Sequence, residues 1–146
     1  MRKCDEMTEI PLHLDHWKFW VSGTLNVLTS LANALEGDIV AASVYLLCME
    51  EVLLNCPPET KAVEFTTQRY SLRAMSARLR LPKSTIYDKI HKLERLGFII
   101  TDQGHISIAA GDDGNPKLME HYPNLRQDIE TMLIRIKTSG SIVVER

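Results

Sequence analysis

Residues 71–109 constrain the fold of this chain more than any other segment, because two short helical patterns are followed there by two β-rich runs. The first helical pattern begins at Ser71 and carries an apolar stripe of Leu72, Met75 and Leu79. Ser76 is a small residue that would let a second helix cross closely, and Leu81 would fill the turn between the two helices. This spacing predicts two short helices joined by a sharp turn.

The second helical pattern begins at Pro82 or Lys83 and has two distinct sides. Its inward positions are Ile86, Ile90 and Leu93. A rotation of about 100° per residue places Ser84, Asp88, His91 and Arg95 on the opposite side, with Tyr87 and Lys92 beside them. Gly97 ends this helix, and residues 102–104 (DQG) join the β-rich runs 98–101 and 105–109 in a tight hairpin. Together these patterns predict a helix-turn-helix followed by a wing.

Charge is segregated in the same stretch, although the net charge of the whole chain is only −2 at pH 7. Between residues 69 and 95, eight basic residues stand against two acidic ones, a net charge of +6, whereas the rest of the chain carries −8. A basic patch on an acidic body is typical of a nucleic-acid-binding surface. The alternative is that these lysines and arginines only keep exposed helix faces hydrated.

The second helix is expected to contact duplex DNA through its outward side. The residues that would face base edges in a major groove are Ser84, Thr85, Tyr87 and Asp88. The residues that would reach phosphates are Lys83, Lys89 and Lys92. The predicted set of DNA contacts is completed by Arg73, His91, Arg95, Gln103 and His105.

Two short strings in this stretch resemble a known class of regulators. Residues 81–87 (LPKSTIY) and 93–99 (LERLGFI) look like the winged helix of bacterial IclR and MarR regulators, with the resemblance covering residues 71–108. IclR-type proteins carry a large C-terminal effector domain for which this chain has no room, whereas MarR-type proteins are about this length. The resemblance implies a dimeric transcriptional regulator that binds duplex DNA, with recognition helix 83–96 in the major groove. A small-molecule effector is a further candidate partner.

Two positions depart from the pattern of that family. Arg80 occupies a turn position usually given to glycine, where a left-handed conformation would cost a residue with a Cβ about 1 kcal/mol. The wing turn, residues 102–105 (DQGH), lacks the arginine that MarR-type wings often place in the minor groove. Gln103 and His105 are therefore the candidate wing contacts.

Helices are also predicted on both sides of this unit. The first is capped by Asp15, ends at Gly37 and has apolar positions at Trp17, Trp20, Val21, Leu28, Leu31 and Leu35. The second, residues 39–55, is capped by Asp38 and is apolar on almost every side, which predicts a central position. Residues 63–67 alternate too weakly to decide between a strand and a loop.

The C-terminal part is expected to be helical as well. Residues 111–116 indicate a linker, with Asn115 as the N-cap and Pro116 at the first position of the next helix. After a break at Pro123, Asn124 would cap the last helix, whose stripe is Leu125, Ile129, Met132 and Ile136. The apolar stripes of the first and last helices need burial in the core or against a second copy, which favours a homodimer.

We therefore predict a mainly α (α+β) protein, a winged helix-turn-helix with flanking N- and C-terminal dimerisation helices. The predicted units are an arm and amphipathic helix at 1–37, the DNA-binding domain at 38–110, and a helical segment and tail at 111–146.

Composition excludes other classes of protein. The most apolar stretch, residues 39–54, is interrupted by Glu50 and Glu51 and does not provide the roughly 20 apolar residues of a bilayer span. The N-terminus lacks the apolar core of a signal peptide. The three cysteines, Cys4, Cys48 and Cys56, form no CxxC pair and indicate reduced thiols. A cytoplasmic protein without a membrane partner is expected.

Catalysis is not expected, and neither is a cofactor or a metal. His13 and His16 beside Asp15 are interpreted as surface or capping residues, because no fourth metal ligand is evident. His91 and His121 belong to no recognisable catalytic motif, and the chain contains no glycine-rich phosphate loop.

Two alternatives stay open. A winged helix also serves as a protein-binding module that does not contact DNA, and Asp88 in the middle of the outward side favours that function. Aromatic and sulfur-containing residues would either pack in the core, which is the preferred interpretation, or line an effector pocket. They are Trp17, Phe19, Trp20, Tyr45 and Met49.

Overall fold

Helices dominate the computed structural model, which describes residues 14–59, 67–121 and 123–138. In chain order the elements are α1 (Leu14–Ala34), α2 (Ile39–Asn55), β1 (Gln68–Arg69), α3 (Leu72–Leu79), α4 (Lys83–Arg95), β2 (Ile99–Asp102), β3 (His105–Ile108), α5 (Lys117–His121) and α6 (Pro123–Thr138). The strands form one small antiparallel sheet. The chain is therefore mainly helical and of the α+β class, as its sequence predicts.

Helix α2 lies in the centre of the core, in agreement with its nearly continuous apolar sequence. Its N-cap is Asp38, whose Oδ1 accepts a hydrogen bond from the Ala41 amide at 2.9 Å. Val44, Tyr45 and Val52 are fully buried. The helix packs against α1, α3, α4, β1 and β3, so it joins the N-terminal helix to the elements that follow.

A tight turn joins α3 to α4. The hydroxyl of Ser71 caps α3 by accepting a hydrogen bond from the Ala74 amide at 3.2 Å. At the other end, Arg80 is left-handed (φ 56°, ψ 41°), which is the strain anticipated for a residue other than glycine at this position. Ser76 Oγ donates to the Leu81 carbonyl at 2.5 Å and so fixes the turn from within.

Helix α4 has one buried and one exposed side. Ile86, Ile90 and Leu93 are buried, as their spacing predicts, and the helix packs against α2, α3 and β2. Directly after the helix, Leu96 and Gly97 (φ 81°) turn the chain into β2.

Strands β2 and β3 form the predicted hairpin, with Asp102 opposite His105. The two turn residues, Gln103 (φ 47°) and Gly104 (φ 78°), both have positive φ, as a two-residue type I′ turn requires. Strand β1 pairs with the other side of β3, so the strand order is β1-β3-β2. This strand was not predicted, because two residues are too few to show an alternating pattern. Most of the undecided stretch 63–67 lies outside the described residues.

Helices α1 and α6 pack against each other in opposite directions. Gly23 of α1 lies against Met132 of α6, so closely that an added Cβ would be 2.7 Å from Met132 Cγ. Further along, Ser30 Oγ donates to Asp128 Oδ2 at 3.0 Å. The partners of successive α1 residues run backwards along α6, which makes the pair antiparallel.

Two predicted N-caps are wrong. Helix α1 already includes the residue before Asp15, so Asp15 lies within the helix. Helix α6 begins at Pro123, whose fixed φ suits a first helical position, and Asn124 is therefore inside the first turn. The predicted stripe of α6 is buried at Leu125 and half-buried at Ile129.

Residues 111–116 form a compact loop between β3 and α5, in which the Gly111 amide donates to the Asn115 carbonyl at 2.8 Å. Pro116 pairs with Ala110 in an isolated β-bridge, which keeps it out of the following helix. Helix α5 begins only at Lys117. Asn115 is not its cap, because the Asn115 amides donate to the carboxylate of Asp113 at 2.9 and 3.0 Å.

The N-terminal half of α1 lies outside the core, so the predicted core packing of its tryptophans is wrong. Trp17 and Trp20 are 54% and 40% exposed, and Val21 and Leu25 are exposed as well. The buried residues of α1 come from its last turns and are Leu31, Ala32 and Ala34. Gly37 (φ 78°) then ends the helical region, as predicted. The core formed with α2 therefore covers only the C-terminal part of α1.

None of the helices in the described ranges is long and apolar enough to cross a membrane. Over the same ranges, no group of three or more His, Cys, Asp or Glu side chains is placed to hold a metal ion. Several predictions concern side chains outside the described part, namely those of His13, His16, Phe19, His121 and Ile136.

Candidate nucleic-acid interface

The outward side of α4 carries a continuous set of exposed polar residues. They are Lys83, Ser84, Tyr87, Asp88, His91 and Arg95. These residues lie opposite the buried positions of the helix, as predicted, whereas Thr85 is half-buried at the edge. Hydroxyl, carboxylate and imidazole groups thus lie between a lysine at the start of the helix and an arginine at its end. We call these six residues the outward face of α4.

Contacts connect the outward face to the hairpin. The ring centroids of Tyr87 and His91 are 4.2 Å apart, with the rings edge to face at 74°. His91 Nδ1 lies 3.7 Å from Glu94 Oε2, and Thr101 Oγ1 in β2 donates to Glu94 Oε1 at 2.5 Å. The hairpin and α4 are therefore joined through Glu94. Sequence reasoning missed Glu94, because no motif marks a carboxylate that acts by positioning its neighbours.

Lys89 and Lys92 lie away from the outward face, although they were predicted to reach phosphates. Their Nζ atoms are 2.6 and 3.1 Å from Oδ2 of Asp38, the N-cap of α2. Lys92 Nζ is also 3.5 Å from Glu36 Oε2. The side chains of Lys89, Lys92 and Asp38 are only 26%, 19% and 14% exposed. Both positive charges are therefore matched within the chain.

The carboxylate of Asp38 contacts two helices, since it caps α2 and pairs with two lysines of α4. Burial raises the pKa of this carboxyl. Hydrogen bonds from Lys89, from the Ala41 amide and from Lys92 lower the pKa, and their combined effect is larger than that of burial. The net result is a pKa well below the ordinary value of 3.8, so Asp38 is ionised at neutral pH. Its hydrogen bond raises the pKa of Lys92 in turn.

At the hairpin tip, a third strand lies beside the predicted wing contacts. Gln103 and His105 are exposed, as wing contacts must be. His105 lies opposite Arg69 of β1 and also opposite Asp102 of β2, which places these three residues on one face of the sheet. The backbone amide of Tyr70 donates a hydrogen bond to the carbonyl of Gly104, in the hairpin turn, at 3.1 Å. The wing turn itself lacks an arginine, but Arg69 of β1 lies beside it. This placement could not be inferred from the sequence, because β1 was not predicted.

Five exposed cations of the basic stretch form no ion pair with any described residue. They are Arg69, Arg73, Arg80, Lys83 and Arg95. The other three are matched, because Arg78 lies 3.5 Å from Glu50 and the remaining two lysines contact Asp38. The positive charge that no described carboxylate matches is therefore found on α3, in the turn after it, at the two ends of the outward face and beside the wing.

The residues considered for an effector pocket are divided between core and solvent. Tyr45 is 1% exposed, and its hydroxyl has no hydrogen-bond partner among the residues that the structure describes. Met49 packs against the core, whereas Trp17 and Trp20 are exposed. Core packing is therefore confirmed for Tyr45 and Met49 only.

Comparisons of the chain with family models, with curated proteins and with solved structures gave no match. Its function is therefore inferred from the geometry and charge of the outward face of α4, of the turn before it and of the hairpin.

Proposed function

We propose that this chain is a winged helix-turn-helix protein that binds duplex DNA and regulates transcription, with α4 as the recognition helix. The element order α2-β1-α3-α4-β2-β3 and the three-stranded sheet support the winged assignment. The tight turn closed by Ser76 supports the helix-turn-helix. The observation that carries the proposal is that the outward face of α4 is exposed along the helix, with Lys83 and Arg95 at its ends.

In this function, α4 reads base edges in the major groove. Ser84 and Tyr87 present hydroxyl groups near the N-terminus of the helix, where recognition helices contact bases. Asp88 would accept a hydrogen bond from the amino group of cytosine. The edge-to-face contact with His91 favours one position of the Tyr87 side chain and so helps to fix where its hydroxyl lies.

The phosphate contacts are assigned differently from the sequence-based set. Lys83 and Arg95 take the two ends of α4, because both are exposed and neither pairs with a described carboxylate. Arg69 is added beside the wing. Lys89 and Lys92 are left out, since their charges are matched by Asp38.

A homodimer is part of the proposal. The exposed apolar residues in the N-terminal half of α1 are Trp17, Trp20, Val21 and Leu25. A second copy that covered them would bury an apolar patch of a kind that monomers rarely expose. Two-fold symmetry would then present two recognition helices to half-sites about 34 Å apart.

A protein-binding module is the second candidate function. Asp88 lies exposed in the middle of the outward face, where it would repel the phosphates of a misaligned duplex. The same carboxylate could bind a basic partner protein.

The proposal is tested by selecting sites from a randomised duplex pool and titrating the enriched duplex at several salt concentrations. We expect the logarithm of the binding constant to fall with the logarithm of salt, by about 0.9 per phosphate contact. Lys83→Ala and Arg95→Ala should weaken binding to every sequence, whereas Ser84→Ala should change the preference among sequences. Arg126→Ala, which removes an exposed α6 cation paired with Glu130, is the charge-matched control.

Failure to enrich any sequence, together with binding no stronger than that of an acidic control protein, would reject DNA binding and favour the protein-binding module. Equal and sequence-blind losses from all three α4 variants would instead reject direct readout by the outward face.

A further inference from the structure

Asp38 connects the turn before α2 with the flank of the proposed recognition helix. Its Oδ1 caps α2, and its Oδ2 receives Lys89 and Lys92 of α4 at 2.6 and 3.1 Å. Glu36, from the same turn, contributes a second carboxylate 3.5 Å from Lys92. Both lysines on this flank are thus held by a turn that precedes α4 by about 50 residues of sequence.

We infer that Asp38 withholds Lys89 and Lys92 from the phosphate backbone and thereby limits the sequence-independent affinity of the recognition helix for DNA. This inference rests on the proposed DNA binding. Lys92 lies about 60° around the helix from Arg95, so its side chain would reach the backbone of a groove-bound duplex if it were released. In the folded chain, Lys92 Nζ contacts Asp38 Oδ2 instead.

The expected consequence is a lower affinity for DNA of every sequence. Sequence-independent affinity comes mainly from lysines and arginines that neutralise phosphates, whereas discrimination comes from groups that touch base edges. Holding two lysines away from the phosphates lowers affinity for all sequences equally. The base-reading residues of the outward face are unaffected, so the ratio of specific to non-specific binding stays the same, and base contacts supply a larger share of the total binding free energy.

The substitution Asp38→Asn separates the two tasks of this side chain. Asparagine caps helices as well as aspartate does, so the hydrogen bond from the Ala41 amide can be kept while the charge is removed. The matched control is Asp112→Asn, which changes the net charge equally at an exposed carboxylate that makes no ion pair with a described residue.

Both variants are titrated with a duplex of random sequence over a range of salt concentrations. We expect the salt dependence to become steeper in Asp38→Asn, by about one for each lysine that then contacts a phosphate, and to stay unchanged in Asp112→Asn. Lys89→Gln combined with Lys92→Gln should leave the slope of the wild type unchanged. Added to Asp38→Asn, the same pair of changes should return the slope to the wild-type value.

A second measurement needs no DNA. Brief acylation of lysine amines, followed by mass spectrometry, should modify Lys89 and Lys92 more slowly than the exposed Lys83 in the wild type. In Asp38→Asn the rates at Lys89 and Lys92 should rise toward the rate at Lys83.

The outcomes separate the inference from the proposed function. Salt-dependent binding by the wild type with an equal slope for Asp38→Asn overturns the inference and leaves DNA binding intact. No binding by either protein overturns both, and binding by the variant alone supports the withholding of the lysines. If Asp38→Asn does not fold, the variant that combines Lys89→Gln with Lys92→Gln tests the inference. A salt dependence of DNA binding flatter than that of the wild type would overturn the inference.

Discussion

Arg80 holds the backbone between α3 and α4 in the left-handed region, where a residue with a Cβ is strained. Its amide donates to the Ser76 carbonyl and so closes the end of α3. Because the Arg80 side chain is exposed, its burial contributes nothing that would offset this strain. The conformation persists because the surrounding turn determines it, mainly through the bond from Ser76 Oγ to the Leu81 carbonyl.

Arg80→Gly should therefore stabilise the fold. A left-handed residue with a Cβ costs about 1 kcal/mol, and the greater freedom of glycine in the unfolded chain offsets about half of the gain. We expect the free energy of unfolding, measured by urea denaturation, to rise by about 0.5 kcal/mol. Arg80→Ala is the control, because it removes the same charge but keeps the Cβ and should give no increase. An Arg80→Gly variant that is less stable than Arg80→Ala would show that strain at this position is negligible.

Single residues with a local role could be predicted from the sequence only in part. Asp38 was predicted as the N-cap of α2 and Ser71 as the start of the α3 pattern, and both accept a hydrogen bond from an amide three residues later. Asn115 and Asn124 have the same capping chemistry, yet neither caps a helix. In the second case a neighbouring proline starts the helix two residues earlier than an N-cap at the asparagine would indicate.

Among the helices, the α1–α6 pair depends on the absence of a side chain at Gly23. A Cβ built there would lie 2.7 Å from Met132 Cγ, which is closer than two carbon atoms can approach. The same glycine lies within a helix, where it is less favourable than alanine by about 1 kcal/mol. Close helix packing and helix propensity therefore oppose each other at this position.

Gly23→Ala and Met132→Ala should show strong coupling in a double-mutant cycle. We expect Gly23→Ala alone to be neutral or destabilising, because the clash with Met132 outweighs the gain in propensity. In the Met132→Ala background the same change should stabilise the chain by about 1 kcal/mol. Chemical denaturation of the four proteins gives the coupling energy. Additive effects would contradict the close contact.

Elements with strong internal patterns could be predicted, and those defined by a distant partner could not. The spacing of Ile86, Ile90 and Leu93 was sufficient for α4, and the turn residues were sufficient for the hairpin. Strand β1 is formed by two residues whose only strand character is their pairing with β3. The contact of Lys89 with Asp38 likewise joins residues 51 positions apart, and a helical period cannot reveal it.

At the scale of the whole molecule, the exposed end of α1 predicts self-association. Val21 and Leu25 are 62% and 58% exposed on the same half of the helix as two exposed tryptophans. We expect sedimentation of the wild type at the mass of two chains, and of Val21→Glu with Leu25→Glu at the mass of one, because a buried charge would oppose docking. Leu54→Glu on α2, at a leucine 75% exposed, is the control and should stay dimeric. A wild type that sediments as one chain at all concentrations would contradict the dimer.

The turn between α1 and α2, residues 35–38, contains both carboxylates that hold the flank of α4. In the proposed dimer, a second chain would bind α1, which enters this turn, and DNA would bind α4, whose lysines the turn contacts. Any rotation of α1 on dimerisation would be transmitted to Glu36 and Asp38, and so to the two lysines. Dimerisation and DNA binding would then be thermodynamically linked. Because linkage is reciprocal, DNA would increase the dimerisation constant by the same factor by which dimerisation increases the affinity for DNA.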